Sequence, residues 1–125
     1  MVERGERSDG SSGFEIVDVE PSGPSPGDLI VENKEIYDKD SQKLLGAMTG
    51  WCLRTVPFKE FDCVFTFKFS EGTIIAQGTY YDKTPDSLFA VTGGTGKYVG
   101  ARGEMKSVER GAASTDYDNI FILSY

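Results

Sequence analysis

The stretch EFDCVFTFKFS, residues 60–70, decides the fold. Phe61, Cys63, Phe65, Phe67 and Phe69 fall on one face, and Asp62, Val64, Thr66, Lys68 and Ser70 on the other. A repeat of two held this long belongs to a β-strand with one buried face, not to the 3.6-residue period of a helix. Glu71-Gly72 follows as a tight turn, in which glycine tolerates the positive φ that such turns need. The chain then returns through TIIAQGTYYD (73–82), where Ile74, Ala76 and Tyr80 oppose Ile75 and Tyr81. A hairpin therefore stands at the centre of the chain.

Working outward, the pattern repeats. Upstream lie LLGAMTGWCLRTV (44–56), which ends at Pro57, and DLIVENKEIY (28–37), with the polar turn DKDSQ between them. Downstream lie SLFAVTG (87–93), a glycine-rich connection at Gly93, Gly94 and Gly96, then YVGARGEMKSVER (98–110) and NIFILSY (119–125). No segment of ten or more residues carries a helical stripe. Seven or eight strands joined by short turns predict an all-β meander. An open sheet would leave two apolar edges, so the expectation is a closed antiparallel eight-stranded β-barrel over residues 28–125. An interior of that size holds packed side chains or one small ligand. Residues 1–13 are charged and rich in Gly and Ser, and are expected to lack order. FEIVDVE (14–20) reads as a short strand or as an arm on the body, and PSGPSPG (21–27) as a linker. Residues 1–27 are thus expected to form a flexible N-terminal arm, one able to cap a barrel.

The chain has 125 residues, which suits one domain. Its formal charge of −7 gives no basic patch for a nucleic-acid backbone or an anionic membrane surface. No apolar run is long enough to span a bilayer, and MVERGERSDGSSG lacks the apolar core of a secretory signal, so a cytoplasmic location is expected. Histidine is absent. That removes the commonest neutral-pH base and the commonest metal ligand, and no cysteine cluster replaces it. Neither cofactor nor metal is expected. Cys52 and Cys63 read as buried small hydrophobes or, if their strands are neighbours, as a disulfide.

The segment FAVTGGTGKYVGARGEM (89–105) is dense in glycine. It lacks the Lys-Ser/Thr ending of a phosphate loop and the helix that would follow one. Glycine at strand corners, which permits tight curvature, accounts for it better. Together with Gly72 and Ala76-Gln77-Gly78, the runs Phe89–Tyr98 and Gly100–Gly103 resemble the barrel shared by plant allene oxide cyclases, dirigent proteins and bacterial polyketide cyclases of the spirotetronate-forming type. The resemblance covers about residues 28–125 and is most specific over 72–103. It implies a cofactor-free, usually oligomeric barrel with an apolar cavity, here a homodimer or homotrimer. Members guide the cyclisation or coupling of reactive intermediates. Where plant cyclases carry a catalytic glutamate on their first barrel strand, the nearest position is Asn33. Glu35 lies two residues on, on the same face.

Candidate catalytic residues are therefore Glu35, Tyr80 and Trp51. Candidate substrate contacts are Asn33, Tyr37, Met48, Phe65, Phe67, Gln77 and Met105. Each has a plainer reading beside it. Phe65 and Phe67 suit ordinary core packing. Trp51 suits an interface as well as a cavity wall. Glu35, Arg54, Arg102 and Glu104 suit solvent or an interface, since a buried charge needs a partner. Gln77 would offer a neutral amide to a carbonyl. The expected function is a cofactor-independent cyclase that folds an apolar polyketide-like intermediate, by a [4+2] cycloaddition or a related closure. The competing readings are a dirigent-like guide or carrier of a small hydrophobic molecule, and a structural or carbohydrate-binding module that uses its outer surface.

Overall fold

The computed structural model describes residues 25–83, 86–109 and 117–125, together with the backbone of two short N-terminal strands. The strands are β1 (Val2–Glu6), β2 (Phe14–Val17), β3 (Leu29–Tyr37), β4 (Leu44–Val56), β5 (Glu60–Phe69), β6 (Gly72–Tyr81), β7 (Asp86–Gly96), β8 (Arg102–Glu109) and β9 (Tyr117–Ser124). From β3 to β9 each strand pairs antiparallel with the next.

The alternation in β5 sets the inner face. Phe61, Cys63, Phe65 and Phe67 are buried, while Asp62 and Lys68 are exposed. Directly opposed residues of an antiparallel ladder share a face, so this choice propagates from strand to strand. One rung runs Cys52, Cys63, Gly78, Phe89, Met105 and Phe121. Another runs Lys34, Met48, Phe67 and Ile74. The rings meet edge to face, Phe65 on Phe89 at 5.3 Å and Phe67 on Phe121 at 5.1 Å between centroids. That geometry sets a positive ring edge against a negative face. The core lies entirely on the concave side.

Closure departs from the expectation. Residues 28–125 do not form a closed eight-stranded β-barrel. They give seven strands in one antiparallel sheet, curled into an open half-barrel, and β3 and β9 share no ladder. The expectation rested on the cost of two bare edges. The sequence meets that cost differently, by laying short N-terminal strands along them. The β2 backbone pairs with Leu29–Glu32 of β3. The β1 backbone pairs with Tyr117–Ile120 of β9 and with Glu35–Tyr37 of β3. Residues 2–6, expected to lack order, are extended and hydrogen-bonded. The glycine run also differs from its reading as a connection: β7 continues through it, with Gly94 opposite Ile74 and Gly96 opposite Gly72. Among the described residues no helix is long and apolar enough to cross a membrane.

Ladder irregularities at Ile36/Tyr37, Arg54/Val56 and Ile75/Ala76 interrupt the pairing. Such bulges bend a strand and increase its twist, which helps this sheet to curl. Cys52 and Cys63 sit directly opposite each other on β4 and β5 and form a disulfide, with Cα atoms 4.0 Å apart.

Gly50 lies between Glu32 and Phe65 in the ladder. A Cβ there would strike the Val64 carbonyl oxygen and approach the Phe65 ring to 2.9 Å. Gly50→Ala is expected to cost about 1–3 kcal/mol through this overpacking, read from urea denaturation. Gly93→Ala, whose Cβ would meet only an Arg102 nitrogen at 3.7 Å, should stay within about 0.5 kcal/mol of wild type. Equal losses at the two sites would refute the close approach at Gly50.

Candidate functional site

The concave face holds a partly open cavity of about 260 Å³. Its walls come from inward positions of all seven strands of the half-barrel, so the strand alternation that builds the core also builds the site. Most of the wall is apolar: Ile30, Met48, Phe61, Phe65, Phe67 and Phe89, with Cys52 of the disulfide beside them. The remainder is polar, from Glu32 and Lys34 on β3, Tyr80 on β6, Ser107 on β8, and Tyr117 and Asn119 on β9.

These polar groups form a chain of contacts. Lys34 is buried, and its Nζ lies 3.7 Å from Glu32 Oε1 and 5.0 Å from the centroid of the Tyr117 ring. The Tyr117 and Tyr80 hydroxyls are hydrogen-bonded at 2.8 Å. Tyr80 rests against Phe61 at 6.3 Å, and Phe61 in turn lies 3.5 Å under the Arg54 guanidinium. Arg54 Nη1 reaches Asp82 at 2.9 Å. The far end of the chain is therefore fixed by an ion pair at the mouth of β4.

Burial dominates the electrostatics. It pushes the Glu32 carboxyl above its ordinary value of 4.5, against the opposing pull of Lys34. Burial likewise raises the Tyr117 phenol, helped by Tyr80 and by the negative charges of Glu109 and Glu32. Tyr80 is also raised, chiefly by burial and against its hydrogen bond to Tyr117. Both phenols stay protonated near neutrality. One of their two hydroxyl hydrogens joins them to each other, and the second is available to a guest oxygen. Among the described residues no cluster of three or more His, Cys, Asp or Glu is placed to hold a metal ion.

Among the residues singled out from sequence, Met48, Phe65, Phe67 and Tyr80 lie together in the cavity wall. Met105 is fully buried in the rung between Phe89 and Phe121, behind that wall. The others lie on the convex side. Asn33 and Gln77 are exposed, and Glu35 accepts a hydrogen bond from Tyr37 there. Trp51, 42% exposed, stands in an outward row with Val31 and Val64. Sequence reasoning took the wrong parity on β3, so Glu32 and Lys34 were not among the candidates. The usable signal was Ile30 and Ile36, which share their face. Tyr117 lay beyond the last strand as read, and nothing local marked it.

The fold and this site define a small curved-sheet protein with a mostly aromatic cavity on its concave face. The chain belongs to the allene oxide cyclase family, whose model matches residues 2–109. Solved structures with the same fold include a pyocyanin demethylase at 22% identity, with TM-score 0.78 over 99% of this chain and 98% of that one. A pterocarpan synthase dirigent protein is 20% identical, with TM-score 0.71 over 94% and 86%. An exo-specific intermolecular Diels-Alderase is 17% identical, with TM-score 0.71 over 95% and 90%. At these identities the likeness establishes the fold alone.

The position of Glu32 yields a pH signature. Its pKa is higher folded than unfolded, so its contribution to stability is complete below the unfolded value and is lost as pH rises through the folded one. As pH rises from about 4 through the raised folded value, wild type should therefore lose stability relative to Glu32→Gln, as read by urea denaturation at each pH. Parallel pH curves for the two proteins would remove Glu32 from the buried corner.

Proposed function

We propose that this protein is a cofactor-independent cyclase that folds one compact, apolar, polyketide-like molecule in the cavity and closes a ring within it. The observation that carries this reading is the division of one partly open cavity into an aromatic wall and a single polar corner. A flexible conjugated chain can enter about 260 Å³ only in a folded form. Holding its reacting ends together contributes up to roughly 7–11 kcal/mol when the orientation is near ideal. Met48, Phe65 and Phe67 supply the surface that enforces the fold.

The polar corner then receives a carbonyl of the substrate. A hydrogen bond from Tyr80 or Tyr117, or from protonated Glu32, draws electron density from the attached double bond and stabilises charge that develops there. A [4+2] cycloaddition is the ring closure this arrangement suits. Two new carbon–carbon bonds form at the expense of π bonds, every substrate atom stays in the product, and nothing is oxidised. Glu32 takes the acidic role that the sequence pointed to at Glu35. The ring-forming activity named for one structural neighbour lends this reading support.

The test uses purified protein alone with linear substrates that carry a conjugated diene and an enone. Loss of diene absorbance and product stereochemistry by chiral chromatography are followed together. A faster reaction giving one stereoisomer is expected, with Glu32→Gln lowering kcat by about 10²-fold. Met48→Trp, which fills the cavity, should abolish turnover while leaving the far-ultraviolet circular dichroism unchanged. Turnover that survives Met48→Trp would place the reaction elsewhere. Stereocontrol that appears only when a one-electron oxidant is added would instead make the protein a dirigent-like guide.

A further inference from the structure

Buried polar side chains in this molecule are met by a protein partner almost everywhere. The Asp28 carboxylate accepts the Ser25 N–H at 3.0 Å, and the buried Ser87 hydroxyl oxygen accepts the Tyr81 N–H at 3.2 Å. Asn119 is the exception. It is 5% exposed and lines the cavity, yet its carboxamide has no hydrogen-bond partner among the described residues. The ladder makes no demand on that side chain, because β9 is held between β8 and β1 through the backbone. Directly across from Asn119 on β8 stands Ser107, which lines the same cavity. The Ser107 hydroxyl is likewise unmatched among the described residues.

Burying an amide without a partner costs free energy, and exceptions to the pairing rule in a native protein call for a reason. A carboxamide carries an N–H donor and a C=O acceptor side by side on one edge. A purely apolar guest would leave both unmet, whereas a guest with the complementary edge satisfies both at once. We infer that Asn119 recognises a cis-amide edge, the N–H and C=O of a lactam ring, through two parallel hydrogen bonds. Ser107 offers its hydroxyl to the second lone pair of the guest carbonyl, while the apolar body lies against Met48, Phe65 and Phe67. This rests on the cavity being the ligand site, as proposed above, and adds the class of molecule it takes: a neutral lactam joined to a conjugated body. A trans amide places its N–H and C=O on opposite edges and cannot make both bonds. A lactone of the same shape sets a ring oxygen where the donor should be, facing the Asn119 carbonyl.

The experiment compares carbostyril, a flat bicyclic lactam, with coumarin, the lactone of the same shape, by isothermal titration calorimetry on the full chain. Carbostyril should bind wild type about tenfold tighter. Asn119→Leu, which keeps the volume and removes the amide, should bind the two probes alike. Without ligand, the same variant should unfold at a higher urea concentration than wild type, because an unmet buried amide is gone. An amide that served the fold through an internal bond would move that midpoint down instead. Equal or reversed preference in wild type, preference retained in Asn119→Leu, or a lowered midpoint overturns the inference and leaves the ligand site standing. Failure of both probes to bind, or binding untouched by Met48→Trp, overturns the cavity reading itself.

Discussion

Every strand in this molecule obeys one geometric rule: successive side chains point to opposite faces. The inward set must fill the concavity of a curled sheet, and the outward set must meet water. Once β5 turns Phe61, Cys63, Phe65 and Phe67 inward, cross-strand pairing carries the assignment to Met48 and Cys52 on one side and to Ile74, Ala76 and Phe89 on the other. A shift of one residue anywhere would exchange the two faces of that strand. The aromatic wall and the polar corner are products of this register rather than separate constructions.

The wall and the corner make different contributions. Burying Phe67 and Ile74 contributes roughly 1.5–3 kcal/mol for each side chain. Glu32 and Lys34 make no comparable contribution, since replacing a buried ion pair by apolar residues of similar volume is often neutral or stabilising. Their place in the cavity is therefore hard to explain by folding. Departures from the packing rule of this kind concentrate at sites that serve a ligand. The same argument covers the Tyr80–Tyr117 pair, whose hydroxyls are held together inside an otherwise apolar recess.

What the sequence made legible follows the strength of the local pattern. In β5 five apolar residues alternate without interruption, and the strand, its face and the hairpin into β6 were all readable from it. In β3 the two faces are nearly balanced, with Ile30, Glu32, Lys34 and Ile36 against Val31, Asn33, Glu35 and Tyr37. A rule that keeps charge out of the interior counts two charged side chains on the first face and one on the second, and so selects the wrong face. The cavity needed the less obvious face. Trp51 misled for a related reason: a large aromatic ring suggests burial, yet its parity is opposite to that of Met48, and pairing with β5 sends it outward. The closed barrel failed because strand count was taken from residues 28–125 alone, whereas the margins of the sheet are met by Phe14–Val17, readable as a short strand but set apart as an arm, and by Val2–Glu6, too short and too polar to announce itself.

The bond between Cys52 and Cys63 lies midway along the β4–β5 hairpin, next to the aromatic wall. It forbids sliding of one strand past the other, including the two-residue slip that would preserve facing but displace each ring by one rung. Thermal fraying at either end of this hairpin therefore pivots about a fixed covalent pin. Phe61, Phe65 and Phe67 return to the same seats each time the ladder re-forms, so the cavity keeps its shape through such excursions.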